Sequence, residues 1–375
     1  MTVFLLIEAR EIECSVIDDI RHRGLSPILF TSRYLDESHF YHGIDMQLFD
    51  EVYCVDTFDS VAMLDCIKHN GIPVTAVLGS YDEVMVPAVD VAQALGLPCP
   101  CLDGLRCAFN HERARTPDAH RACICQNAAH YRHAITGICQ GQRATLSNAH
   151  RHVIMEQCTM VQCIEGPYYG AELLYHNGHW RVIAVNRRFL SAGDRAYVTG
   201  ICQPSDLDPE RLAQASIQVQ RWVEALKLRG GALSVTFIYT ADGPVLVDMT
   251  LGIANARVNK QVELTTGINM MVHVVDFVCG KTRALSRSLH PRYPFVADAF
   301  IFCPRAGQHD ASLIDKNHRY FIASCLKPSS GQSILARRAV GKVIVGDVMA
   351  YGESCQQAME HAQTLVRQVG VKPWP

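Results

Sequence analysis

The sequence predicts an α/β protein that opens on a doubly wound parallel sheet. Two observations lead there. Through the first hundred residues, short apolar runs of strand length alternate with stretches whose apolar residues recur at helical spacing. The helical stretches are closed by glycines: Gly24, the pair Asn70-Gly71, and Gly96.

Taken in order, residues 3–7 form a first strand, 14–22 a helix and 26–31 a second strand. Residues 50–55 give a third strand, 59–69 a helix and 73–78 a fourth strand, followed by a Gly-Ser turn. Residues 84–95 then form a helix, closed by Gly96, which tolerates positive φ. Glu8-Ala9-Arg10 follows the first strand where a G-x-G-x-x-G would begin, so this is not a dinucleotide-binding lobe.

Further along, residues 112–125 favour helix, and 151–163 and 171–188 read as antiparallel strands, the latter turning at Asn177-Gly178. Residues 209–228 are an amphipathic helix through Leu212, Ala215, Ile217, Val219, Val223 and Leu226, stopped by Gly230-Gly231. A hairpin over 232–239 and 244–249 turns at Ala241-Asp242-Gly243, which sets Thr236 beside Asp248 facing a cleft. A long helix over 263–280 is interrupted near Gly267. Strands over 295–302 and 342–351 precede a helix over 354–370, with Ser354 as N-cap.

Composition excludes several classes. A chain of 375 residues suits two or three packed lobes, and 49% apolar with 19% charged residues is globular rather than disordered. A formal net charge of -2 gives no bulk field for nucleic acid or an anionic membrane. The apolar runs are strand-sized, far short of the ~20 residues a helix needs to cross a bilayer. The N-terminal run lacks a basic flank and meets Glu8 and Arg10 at once, so a cytoplasmic, reducing setting is expected. The sixteen cysteines include C-x-C pairs but no C-x-x-C, which argues against a zinc site; the cluster His120, Cys123, Cys125, His130 and His133 is the exception to test. Gly-x-Ser-x-Gly and H-E-x-x-H motifs are absent.

Four strings, in order, resemble the ATP-grasp carboxylate–amine ligases, most closely those making dipeptides and amide-linked products. They are Val77-Leu78-Gly79-Ser80-Tyr81-Asp82 through Gly96-Leu97-Pro98; Ile164-Glu165-Gly166-Pro167-Tyr168-Tyr169-Gly170-Ala171-Glu172; the hairpin over 231–249 continuing to Thr265-Thr266-Gly267-Ile268-Asn269; and Gly341-Lys342-Val343-Ile344-Val345-Gly346-Asp347 running to Ser354. The resemblance implies a three-lobed ATP-grasp-like fold. Its parts would be an N-terminal α/β lobe over 1–106, a shortened central nucleotide-binding subdomain over 107–165 and a C-terminal α+β lobe over 166–375. It also implies ATP and magnesium as cofactors, small carboxylate and amine substrates, and a homodimer or a complete ligase as partner.

The family's metal positions fall on Thr236, Asp248 and Thr250, so one carboxylate remains where two are usual; a hydroxyl is a poor magnesium ligand. Its following arginine falls on Gly252, and His111 stands where a phosphate lysine is expected. The hinge acid falls on Gln162, while Glu172 keeps its position; the other reading of Glu172 is a strand carboxylate paired with Arg181 or Arg187. Arg113, Arg115, Arg187, Arg188, Arg257 and Lys260 are the cations that suit an anion, and Arg257 and Lys260, just past the hairpin, are candidates to bind substrate carboxylate in the central cleft. Three readings stand side by side: a divergent ATP-dependent ligase of small-molecule biosynthesis, a catalytically silent homologue that binds a small carboxylate or partners a complete ligase, and a scaffold whose cleft is empty.

Overall fold

The protein is described from a computed structural model. It describes residues 2–32, 44–80, 82–101, 166–191, 198–286, 291–303, 307–310, 314–326, 343–368 and 370–373. The expected central subdomain, Gln162, and the His120–His133 cluster lie outside the described residues.

The N-terminal lobe is the expected parallel sheet. Strands β1 (Thr2–Ile7), β2 (Leu25–Thr31), β3 (Glu51–Cys54) and β4 (Val74–Gly79) lie in the order β3-β2-β1-β4. β1 pairs in parallel with both β2 and β4, and its apolar run is buried on both faces, as a central parallel strand requires. The single helix expected over 14–22 is instead two short ones, α1 (Glu11–Cys14) and α2 (Ile17–His22). α3 (Ser60–His69) starts at Asp59, whose carboxylate accepts from Val61 N at 2.9 Å, and α4 (Asp82–Ala94) ends before Gly96, at φ +68°.

The second layer is an eight-stranded antiparallel sheet in the order β12-β13-β10-β7-β6-β5-β8-β9. Its strands are β5 (Tyr168–His176), β6 (His179–Leu190), β7 (Val198–Gln203), β8 (Ala232–Thr240), β9 (Gly243–Leu251), β10 (Phe295–Cys303), β12 (Phe321–Leu326) and β13 (Val343–Gly352). β11 (Gly307–Asp310) pairs with β14 (Gly370–Pro373) in a separate ribbon. The hairpin turns fall where the sequence puts them, at Asn177-Gly178 and at residues 241–242.

Helices cover both faces. α5 (Pro209–Ala225) lays Ala215, Val219 and Val223 against Tyr169, Ala171, Val185, Val235 and Phe237. α8 (Cys355–Val366), N-capped by Ser354, packs Ala358 and Ala362 on Ala297, Ala299 and Val348. The helix expected over 263–280 starts earlier and is two: α6 (Ala256–Thr266) and α7 (Met270–Val278). Gly267, in the left-handed region at φ +78°, ends the first. α6 and α7 sit on the opposite sheet face, in one apolar cluster with Phe4, Leu6 and Leu78 of the N-terminal lobe. Among the described residues, no helix is long and apolar enough to cross a membrane.

Candidate site on the central sheet

Side chains alternate along a strand, so residues two apart share a face. Three strands carry pairs of polar residues at that spacing, and a fourth between them carries one: Asn186 and Arg188 on β6, Ser234 and Thr236 on β8, Asp248 and Thr250 on β9, and Glu172 on β5. The ladders align them: Glu172 opposite Ser234, Thr236 opposite Asp248, and Ser234 opposite Thr250. The intervening residues face α5, so the polar set occupies the face that carries α6 and α7.

Glu172 is fully buried. Its Oε1 accepts from Ser234 Oγ at 3.0 Å and from Asn186 Nδ2 at 3.3 Å. Burial raises its pKa, opposed by Arg188 and by these two hydrogen bonds. The neighbouring cation is therefore Arg188, not the Arg181 or Arg187 of the sequence reading. Arg187 turns toward Asp206 and the Tyr169 ring on the other face.

Arg188 reaches from β6 across β5 to β8, where Nη1 donates to Thr236 Oγ1 at 2.6 Å. Gly170 makes that path possible: a Cβ there would lie 2.6 Å from Asn186 Oδ1 and 2.8 Å from Arg188 Nη2. Burial lowers the Arg188 pKa, while Glu172 and Asp248 raise it, so the guanidinium lies within the field of both carboxylates.

Thr236, Asp248 and Thr250 do share one face of the hairpin, but with a fixed cation among them. A divalent ion there would have one carboxylate and would face the Arg188 charge, while the Thr236 hydroxyl already accepts from that arginine. This donor set does not fit magnesium. Among the described residues, no group of three or more His, Cys, Asp or Glu side chains is placed to hold a metal ion.

Arg257 and Lys260 sit on α6. Lys260 Nζ is 2.8 Å from Glu263 Oε2 at a half-exposed surface. Arg257 Nη2 is 2.9 Å from Asp347 Oδ1 on β13, so its charge is already engaged. Sequence reasoning missed the joining of Asn186, Arg188 and Ser234 to Glu172. The signal was present as paired polar residues at two-residue spacing inside apolar strands, but register alone brings them together.

This sheet order and helix placement make an ATP-grasp-like fold, shared over the full chain with solved structures. The L-amino acid ligase of Bacillus licheniformis superposes with a TM-score of 0.79 at 15% identity, covering 100% of this chain and 99% of that one. Phosphoribosylglycinamide synthetase from Anaerococcus prevotii gives 0.68 at 11% identity, covering 100% of both chains. The biotin carboxylase domain dimer of the Hydrogenobacter thermophilus 2-oxoglutarate carboxylase, solved with MgADP, ADP and bicarbonate, gives 0.63 at 12% identity, covering 98% of this chain and 90% of that one. At such identities the likeness is one of fold. No protein-family model matches the chain, and no curated protein matches it.

Proposed function

We propose that this chain is a divergent ATP-grasp protein derived from ATP-dependent carboxylate–amine ligases of small-molecule biosynthesis. The fold shared with the L-amino acid ligase over the whole chain supports that descent. The observation that carries the finer reading is Arg188, seated among Glu172, Thr236 and Asp248. An internal guanidinium there compensates the acidic residues and opposes a bound divalent cation, which favours the catalytically silent form: a protein that binds a small ligand, or partners a complete ligase, without magnesium-dependent turnover of ATP.

The competing reading keeps catalysis, with Asp248 as the remaining metal ligand and Glu172 and Gln162 on the nucleotide side. Self-association is the partner arrangement suggested by the dimeric biotin carboxylase domain. A cytoplasmic setting, in which sixteen cysteines stay reduced, fits either form.

Turnover separates the two. The chain is incubated with ATP, magnesium and a mixture of amino acids, with ADP release and amide products read together. The silent form gives no ADP release above the protein-free control. Release that is abolished in Asp248→Ala establishes the ligase instead.

A further inference from the structure

A second polar cluster lies on the same sheet face, across β7 from Arg188. Ile201 on β7 stands opposite Arg188 on one side and opposite Asp298 of β10 on the other. At a strand spacing of about 4.8 Å, the backbones at Arg188 and Asp298 are about 10 Å apart. On β13, Asp347 pairs with Phe300, one step diagonally from Asp298 on the same face. Arg257 reaches this cluster from the first turn of α6, and Glu11 of the N-terminal lobe and Cys325 of β12 lie within its field.

Asp298 is 1% exposed, and among the described residues neither of its carboxylate oxygens has a hydrogen-bond partner. Asp347 Oδ1 and Arg257 Nε also lack one, although Arg257 and Asp347 lie 2.9 Å apart as an ion pair. Buried carboxylates ordinarily hold two or three donors, so two bare acceptors in one side chain mark a place shaped for donors that the described residues do not supply. The charges agree. Burial by itself favours the protonated form of Asp298; a cation beside it would stabilise the carboxylate, and with both aspartates then ionised Arg257 offsets one and Glu11 adds a further negative charge. The side chains of Arg257 and Asp347 are 18% and 16% exposed, so the cluster opens on their side.

We propose that Asp298 and Asp347 form a binding site for a cationic nitrogen group, a primary ammonium carried by a small amine. An ammonium brings several N–H donors and one charge, matching the two bare oxygens of Asp298 and Asp347 Oδ1, which its ion pair with Arg257 leaves without a hydrogen bond. It also suits the site better than a carboxylate, because Arg257 is committed to Asp347 and the surrounding charge is negative. A divalent ion would find only two carboxylates, with a guanidinium pressed against one of them. The proposal does not depend on nucleotide use, since an amine binder and a ligase would both need such a site.

Calorimetric titration of the full chain at pH 7 tests it, with glycinamide as an amine that lacks a carboxylate and acetate as the matched anion. Saturable glycinamide binding is expected, weakened at least tenfold in Asp298→Asn and in Asp347→Asn, with no saturable binding of acetate. Both variants are first shown to melt cooperatively. Asp298→Asn replaces a buried acid that has no hydrogen-bond partner among the described residues and is expected to melt at or above the wild-type temperature. Glycinamide binding that is absent, or that is equal in Asp298→Asn, overturns the proposal. So does acetate binding that is lost in Arg257→Ala.

Discussion

At the residue scale, Gly170 decides whether the central polar face can exist. The Arg188 guanidinium crosses the space that any side chain at 170 would fill. Gly170→Ala therefore forces Arg188 and Asn186 away from Thr236 and Glu172. The expected cost is about 1–3 kcal/mol of stability, measured by urea unfolding. Alanine at a strand position is otherwise tolerated, so an unchanged midpoint would show that the path of Arg188 is not the one described.

The aspartate pair on β10 and β13 makes a pH prediction of the opposite sign to the usual carboxylate. Burial pushes Asp347 up to about 6; Arg257 opposes the shift and Glu11 adds to it. Asp298 is raised well above the ordinary range, first by burial and then by Asp347. A carboxyl whose pKa is higher in the folded state binds its proton more tightly there. Its contribution is thus present below about pH 4 and is lost as pH rises through about 6. For Asp347 the loss is on the order of 2 kcal/mol. Comparing wild type with Asp347→Asn from pH 4 to 7 isolates it: the wild type should lose stability relative to the variant as pH rises. A difference that stays flat, or grows the other way, contradicts the pairing.

At the scale of elements, most of the N-terminal lobe was legible. Continuous apolar runs and Gly96 as a stop fix strands and helices through local chemistry alone, and Asp59, read as the first residue of a helix, proves to be its cap. The α6–α7 boundary was only partly legible. Gly267 marked the break, but the start of α6 depends on Asn255, whose side chain caps Val258 N at 2.8 Å, and this reads in sequence as one more polar loop residue. Less visible still is Asn259. It is buried within α6, and its Oδ1 accepts from Met270 N at 2.9 Å and Met271 N at 3.3 Å, capping the next helix from outside. A helix interior is a poor setting for asparagine, so its presence makes sense only once the second helix is in place. Asn259→Ala leaves those amides bare and should cost about 1–3 kcal/mol, read as a lower melting temperature. The expected metal positions were legible as a hairpin face, whereas the arginine that changes their chemistry was not. Arg188 enters from a strand 48 residues away in sequence from Thr236, and only sheet order reveals it.

At the scale of the whole molecule, the two sheets behave as one body. α6 and α7 share an apolar cluster with the N-terminal strands, and Arg23, the C-cap of α2, is held by Asp276 of α7 across 253 residues of sequence. Asp276 is 5% exposed and also accepts from Arg283 at 2.6 Å. Burial raises its pKa, but the hydrogen bonds from Arg283 and Arg23 outweigh that and hold it below the ordinary value. Asp276→Ala leaves Arg23 with Asp19 as its remaining carboxylate partner and should cost about 1–3 kcal/mol. Limited proteolysis checks whether the lobes part: cleavage between them should quicken in the variant and not in Asp19→Ala, whose side chain is more exposed.

At the same scale, the proposed silent form is an ATP-grasp-like fold without a magnesium-dependent nucleotide site. If, as the resemblance implies, Thr236 stands for a metal carboxylate and His111 for the phosphate lysine, charge-assisted contacts worth about 1.5–3 kcal/mol each are lost. Together such losses move a micromolar site by roughly two to four decades, toward the millimolar range. Arg188 among the remaining acids works in the same direction. Calorimetric titration of ATP into the full chain, with and without magnesium, measures this directly. The prediction is no magnesium-dependent saturation below millimolar ATP, in wild type and in Asp248→Ala alike. Micromolar binding that requires magnesium and disappears in Asp248→Ala would contradict it.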